Sequence, residues 1–344
     1  HYVVVSVYRK ILRKLVAYMT HAIDTHAHLW TEEYLEALGK LGATGTAIAA
    51  GIGAGTTQEE LDKRLAMMDA AGVDFQVLSA TPQVPQFGTA EEALALAQDI
   101  NNTYKDIISR YPDRFRASGV VPLPHVEAAI QEGKRIIEEL GFLGIALNTT
   151  LDNGMSIGHP DFEPFFEAMN ELGAIIYIHP TGCGAFSPML NDYQLEWVVG
   201  APVEDMLATL QLLKKDIPQK YPNLKFHIAH LGGGISFQMQ RIIDNYTDWG
   251  SFRHHPLETL QKHFWFDTAN FLEESLLHSS KILGNKRLLL GSDFPYFQND
   301  KYTRAVTYVE NAALTDQEKA AIFVENASNL YKDRWENVLK TKKD

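Results

Sequence analysis

The sequence predicts an α/β chain folded as a (β/α)8 TIM barrel, and two observations carry that reading. Eight short β-rich apolar runs alternate with helical patterns along residues 20–335. Most of the runs are apolar on both faces, as strands buried in a parallel sheet are. Eight βα units in series close into a barrel. The runner-up, a doubly wound open sheet, has fewer strands as a rule. If it bound a dinucleotide, a glycine-rich fingerprint would follow its first strand. Here the first run leads instead into His26, Ala27, His28, Leu29 and Trp30.

The candidate strands, in order, are 21–29, 73–79, 115–122, 144–150, 174–180, 225–231, 264–270 and 287–293. The helix after 30–60 spans 57–72 and stops at Gly72, a C-cap signal. The next opens at Thr89 with acidic residues two and three places on, a favourable N-terminus. Helical spacing recurs at 125–141, 160–173, 203–222, 235–246, 272–284 and 315–331. Two connections are long, 30–60 and 181–202, and in a barrel both lie on the C-terminal face, where active sites form.

The chain has 344 residues, which a single barrel can use whole. The body is read as one domain over 20–335, with an extension at 1–19 and a tail at 336–344. The extension is apolar and basic, but Arg9, Lys10, Arg13 and Lys14 interrupt it, so it is not a spanning helix. Its charges do not fit a signal peptide. It is either an upstream extension, with Met19 as the natural start, or an amphipathic helix packed on the body. A net charge of −12 excludes nucleic acid and anionic membranes as expected partners. One cysteine, Cys183, allows no intrachain disulfide and fits a reducing, cytoplasmic location.

Metal-capable residues sit at the C-terminal ends of several runs. They are Asp24, His26 and His28 on the first, His179 on the fifth, His230 on the sixth, Asp267 on the seventh and Asp293 on the eighth. His26 and His28 share one face of a strand because side chains alternate. With His179 and Asp293 they make three nitrogens and a carboxylate. That set suits one Zn²⁺ ion and is tolerable for Mn²⁺, with a position left for substrate.

The segments IDTHAHLW (23–30), IHP (178–180), HLGGG (230–234) and GSDFPY (291–296) resemble the amidohydrolase superfamily. More narrowly they resemble its branch related to aminocarboxymuconate semialdehyde decarboxylase, which includes γ-resorcylate, 6-methylsalicylate and 5-carboxyuracil decarboxylases. The resemblance covers residues 20–335. It implies a metal-dependent hydrolase type of barrel, with His26, His28, His179 and Asp293 around the metal. It also implies that His230 acts near the substrate as proton donor or water activator, and that Arg64 binds substrate carboxylate. Two-metal relatives carry a carboxylated lysine on strand 4; Asn148 stands in that region here, which argues for one metal. Asn148 either hydrogen-bonds substrate or caps the turn.

Three functions are weighed. The first is a metal-dependent decarboxylase of a small aromatic or unsaturated carboxylic acid, with Asp293 and His230 handling the proton. The second is a hydrolase of a lactone or amide that uses metal-bound hydroxide. The third is a silent metal-binding scaffold. Phe294, Tyr296, Phe271, Trp265, Trp30 and Phe186 are candidates to wall a planar substrate, with Phe294 the one assigned to it. Gly232–Gly234 either offer backbone N–H groups to an anion before a helix starting near Ile235 or pack tightly at the rim. Asp267 either supports a histidine ligand or caps, and Cys183 and His227 are read as non-catalytic. Members of this branch are commonly dimers, so a homodimer is expected.

Overall fold

The computed structural model describes residues 22–151 and 153–340. The 1–19 extension lies outside the described residues. The eight strands are β1 (Ile23–His28), β2 (Phe75–Ser79), β3 (Phe115–Val120), β4 (Gly144–Asn148), β5 (Ile175–His179), β6 (Lys225–Ile228), β7 (Phe264–Asp267) and β8 (Leu288–Leu289). They pair in sequence order, each neighbour parallel. Almost every strand residue is buried, because the helices cover the outside while side chains fill the inside.

The sheet closes between its last and first strands. The Thr25 amide donates to Leu290, the Asp293 amide to His26 (2.9 Å each) and the His28 amide to Phe294 (2.7 Å). β8 itself is only two residues long, shorter than the run that predicted it. Its extension through Asp293 is irregular backbone tied to β1, and Asp293 takes a left-handed φ of 58°.

The predicted caps at Thr89 and Gly72 are in place: Thr89 forms a capping box with Glu92, and Gly72 ends its helix at φ 72°. The structure adds a second capping box, Thr57 with Glu60. The structure adds helices at Glu32–Lys40 and Pro256–His263, inside stretches expected as loops. In the second, proline sits in the first turn with His255 as N-cap. The last helix runs Asn326–Lys340, past the boundary placed at 335. No helix among the described residues is long and apolar enough to cross a membrane.

One local departure shapes the site. No helix starts at Ile235. Residues 230–234 instead form a left-handed turn, with φ of 53, 53, 69, 64 and 83°, and the helix begins at Met239. Tight packing decides this turn. A Cβ on Gly233 would lie 1.7 Å from the carbonyl oxygen of Pro202, in the first turn of the helix Ala201–Lys214. A Cβ on Gly234 would meet nothing within 4 Å.

These two glycines form a controlled pair. Gly234→Ala should cost only the left-handed backbone penalty, about 1–2 kcal/mol. Gly233→Ala should cost clearly more in urea unfolding, since it also pushes the helix away. Equal costs would remove the Gly233–Pro202 contact from the account.

Candidate active site

The C-terminal ends of the strands bring four ligand atoms together from β1, β5 and the β8 extension. His26 Nε2 and His28 Nε2 lie 3.2 Å apart. Each is 3.2 Å from Asp293 Oδ1. His179 completes the group, whose ligand atoms all lie within 4.8 Å of one another, and all four residues are buried. Atoms bound to one zinc ion sit roughly 3.3 Å apart, so the spacing fits a single cation.

The proton inventory gives the same answer. The Pro180 carbonyl can only accept, so His179 Nδ1, 2.8 Å away, carries a proton. His179 Nε2 is then a bare lone pair, buried and without a partner. His26 Nδ1 donates to Asp267 Oδ2 at 3.0 Å, which aims its Nε2 at His28 and Asp293. Burial, helped by neighbouring imidazoles, holds His179 well below its ordinary pKa and takes His28 to about 4. Burial alone would lower His26 too, but Asp267 and Asp293 outweigh it and raise it to about 9. The pocket therefore calls for positive charge among lone pairs, and a divalent metal satisfies it.

Anchors behind the imidazoles set their directions. His28 Nδ1 lies 3.2 Å from Ser79 Oγ, and its ring stacks on Trp30 at 5.6 Å. Asp267 serves both roles weighed for it. Its Oδ2 takes His26 and His227, each at 3.0 Å, and its Oδ1 accepts the His230 and Ala269 amides at 3.1 Å. Burial would raise Asp267, but the two histidines hold it well below the usual carboxylate range. Asp24 stays out of the group despite its even spacing from His26. A bulge interrupts β1 between Asp24 and Ala27, and the Asp24 carboxylate accepts from Ser292 and Gln76 instead.

Above the ligands lies a cavity of 590 Å³, with His179, His230 and Asp293 reaching it. Its walls include Ile48, Trp197, Val198, Phe271, Tyr296 and Phe297, and Asn270 adds one amide. The Tyr296 hydroxyl is buried without a partner. His230 Nε2 stands 3.5 Å from Asp293 Oδ2, and His230 Nδ1 is 2.8 Å from Asp205 Oδ2. Burial raises Asp205 to about 7 against the pull of His230. The adjacent Glu204 accepts from Thr181, Gly182 and Cys183, tying down the segment after His179.

Three residues expected at the substrate are engaged with other parts of the protein. Arg64 is buried beneath the site; it donates to the His28 carbonyl at 2.8 Å and to Gln76 at 3.1 Å, and so supports β1. Phe294 lies under that guanidinium, 4.3 Å from it, is buried and does not line the cavity. Asn148 donates to the Pro82 carbonyl at 2.9 Å, the turn-holding alternative, and borders a separate cavity of 340 Å³. Trp265 packs against Arg287, away from the mouth. Sequence reasoning missed Asp205, Trp197, Val198, Asn270 and Phe297. An acidic pair at a helix start is read as a capping feature, and nothing local in the sequence links Asp205 to His230.

A family model described as amidohydrolase matches residues 23–332. The 2-amino-3-carboxymuconate-6-semialdehyde decarboxylase of Dictyostelium discoideum is 34% identical over 241 residues, 68% of this chain and 66% of that protein. The γ-resorcylate decarboxylase of a Polaromonas species is 26% identical over 292 residues, 79% of this chain and 87% of that one. A dihydroxybenzoic acid decarboxylase structure from Polaromonas, with bound manganese and the inhibitor 2-nitroresorcinol, superposes with a TM-score of 0.79 at 24% identity. It covers 91% of this chain and 97% of that one.

His179→Ala should lower bound metal by more than about tenfold on elemental analysis, since it removes one of four ligands. Asp267→Asn should weaken metal binding by about 10- to 100-fold while the ligands remain. Full metal stoichiometry in His179→Ala would take that residue out of the group.

Proposed function

The chain belongs to the amidohydrolase family, and from that membership we propose that it is a metal-dependent non-oxidative decarboxylase. It is a carbon–carbon lyase acting on a small aromatic or unsaturated carboxylic acid. The observation that carries this reading is the His230–Asp293 pair, 3.5 Å apart beside the ligand group on the floor of an aromatic-walled cavity. The decarboxylase relatives support it.

His26, His28, His179 and Asp293 would hold a divalent cation, which would supply positive charge for the substrate carboxylate. The protein does the rest. Trp197, Phe271, Tyr296 and Phe297 form walls suited to a flat ring and reduce its contact with water. His230 and Asp293 hold a proton at the cavity floor. As the bond to the carboxylate breaks, its electron pair stays on the ring or diene carbon. That carbon takes the proton, and the carboxylate carbon leaves as CO₂.

Three imidazoles and one carboxylate favour zinc, with manganese, the ion in the Polaromonas structure, as the alternative. Asn148, engaged with Pro82, offers no bridging group for a second ion. A homodimer is supported by the loop after β5, which exposes Met189, Tyr193, Trp197 and Val198. The helix Asp300–Asn311, by contrast, buries Tyr302, Val306 and Val309. The free thiol of Cys183 supports a cytoplasmic location.

The test is metal content of the purified chain followed by CO₂ release from hydroxybenzoates, carboxyuracil and muconate-type acids. About one metal per chain with CO₂ release is expected; metal without CO₂ from any acid overturns the decarboxylase. Asp293→Asn should stay folded by circular dichroism and lose turnover. Near-normal activity would end its role with the proton.

A further inference from the structure

His230 enters the cavity from strained backbone. Its φ is 53°, and its amide is held by Asp267 Oδ1 at 3.1 Å. The ring still needs an anchor, because rotation about its side-chain bonds would carry Nε2 away from Asp293. Asp205 is that anchor by position. It is 0% exposed, and its Oδ2 lies 2.8 Å from His230 Nδ1. Its other oxygen, Oδ1, is buried with no hydrogen-bond partner. This carboxylate is thus buried with its hydrogen bonding spent on His230, a costly placement that folding by itself does not require.

Two further features make the placement rigid. The helix that carries Asp205 touches the 230–234 turn through Pro202 and Gly233, so close that no Cβ fits between them. One residue before Asp205, Glu204 binds the segment after His179, with the Thr181 hydroxyl donating at 2.6 Å and the Gly182 amide at 3.0 Å. A single helical turn thereby fixes His230 and the chain beside a metal-ligand histidine.

We propose that Asp205 is the positioning residue for His230. It accepts the hydrogen bond from His230 Nδ1–H and so presents Nε2 to Asp293 and the substrate. The proposal rests on the decarboxylase reading for its effect on turnover, but the ring orientation is testable without it.

Asp205→Asn should lower kcat by about 10- to 100-fold. KM should stay within about threefold and metal content should be unchanged, because the lost contact acts on the reacting geometry and not on ground-state binding. Added to His230→Asn, the same change should lower kcat no further. In zinc-loaded protein with ¹⁵N-labelled histidine, the ring signals that vanish in His230→Asn should report a protonated Nδ1, and Asp205→Asn should shift them. Unchanged kcat, an effect on KM alone, loss of metal or additive losses in the double variant would each overturn the proposal. Should Asp205→Asn fail to fold, the wild-type spectrum decides: an unprotonated His230 Nδ1 overturns the proposal. If the wild type releases CO₂ from no acid, the function fails while the ring signals still judge Asp205.

Discussion

Buried lone pairs converging on one point are the constraint on which the rest of this structure depends. His26, His28 and His179 present nitrogens, and Asp293 presents an oxygen, and the ligand nitrogen of His179 is a buried lone pair without a partner. Such an arrangement is unfavourable until a cation enters. The fold holds it in advance by placing it at the seam of the barrel. Asp293 belongs to the short β8 extension, yet its amide is bonded to His26, the residue whose ring it faces. Closing the barrel and assembling the ligands are one event.

Each imidazole is held through the nitrogen that faces away from the centre. His26 leans on Asp267, His28 on Ser79, His179 on the Pro180 carbonyl and His230 on Asp205. These partners convert flexible side chains into fixed directions. Asp267 takes four donors and so joins β1, β6, the 230–234 turn and its own strand end. Arg64 extends the support outward by bonding the His28 carbonyl, which is why a buried guanidinium lies beneath the site and not within the substrate cavity. Polar groups gather on the floor while the walls are mainly aromatic and aliphatic, a division suited to a flat acid whose carboxylate faces down.

Much of the fold was legible in the sequence because its signals are local. Apolar runs mark buried strands, and Thr89 and Gly72 mark helix ends. The short helix Pro256–His263 carries its start signal, a proline in the first turn, but at eight residues offers little helical spacing to read. The ligands were legible for a related reason: His26 and His28 share a strand face, and a barrel gathers strand ends even when they are far apart in the chain.

What the sequence by itself determined is the barrel, the family and the residues able to hold a metal, all of which follow from periodicity and motif. Tertiary structure alone decided which neighbours serve them. A bulge takes Asp24 out of the group, and a left-handed turn brings His230 to Asp205 across 25 residues of chain. Close packing assigns Arg64 and Phe294 to support while Tyr296 and Phe297 reach the cavity. Strand periodicity says which way a side chain points within its own element. Which group it meets depends on how separate elements dock, and no local pattern encodes that.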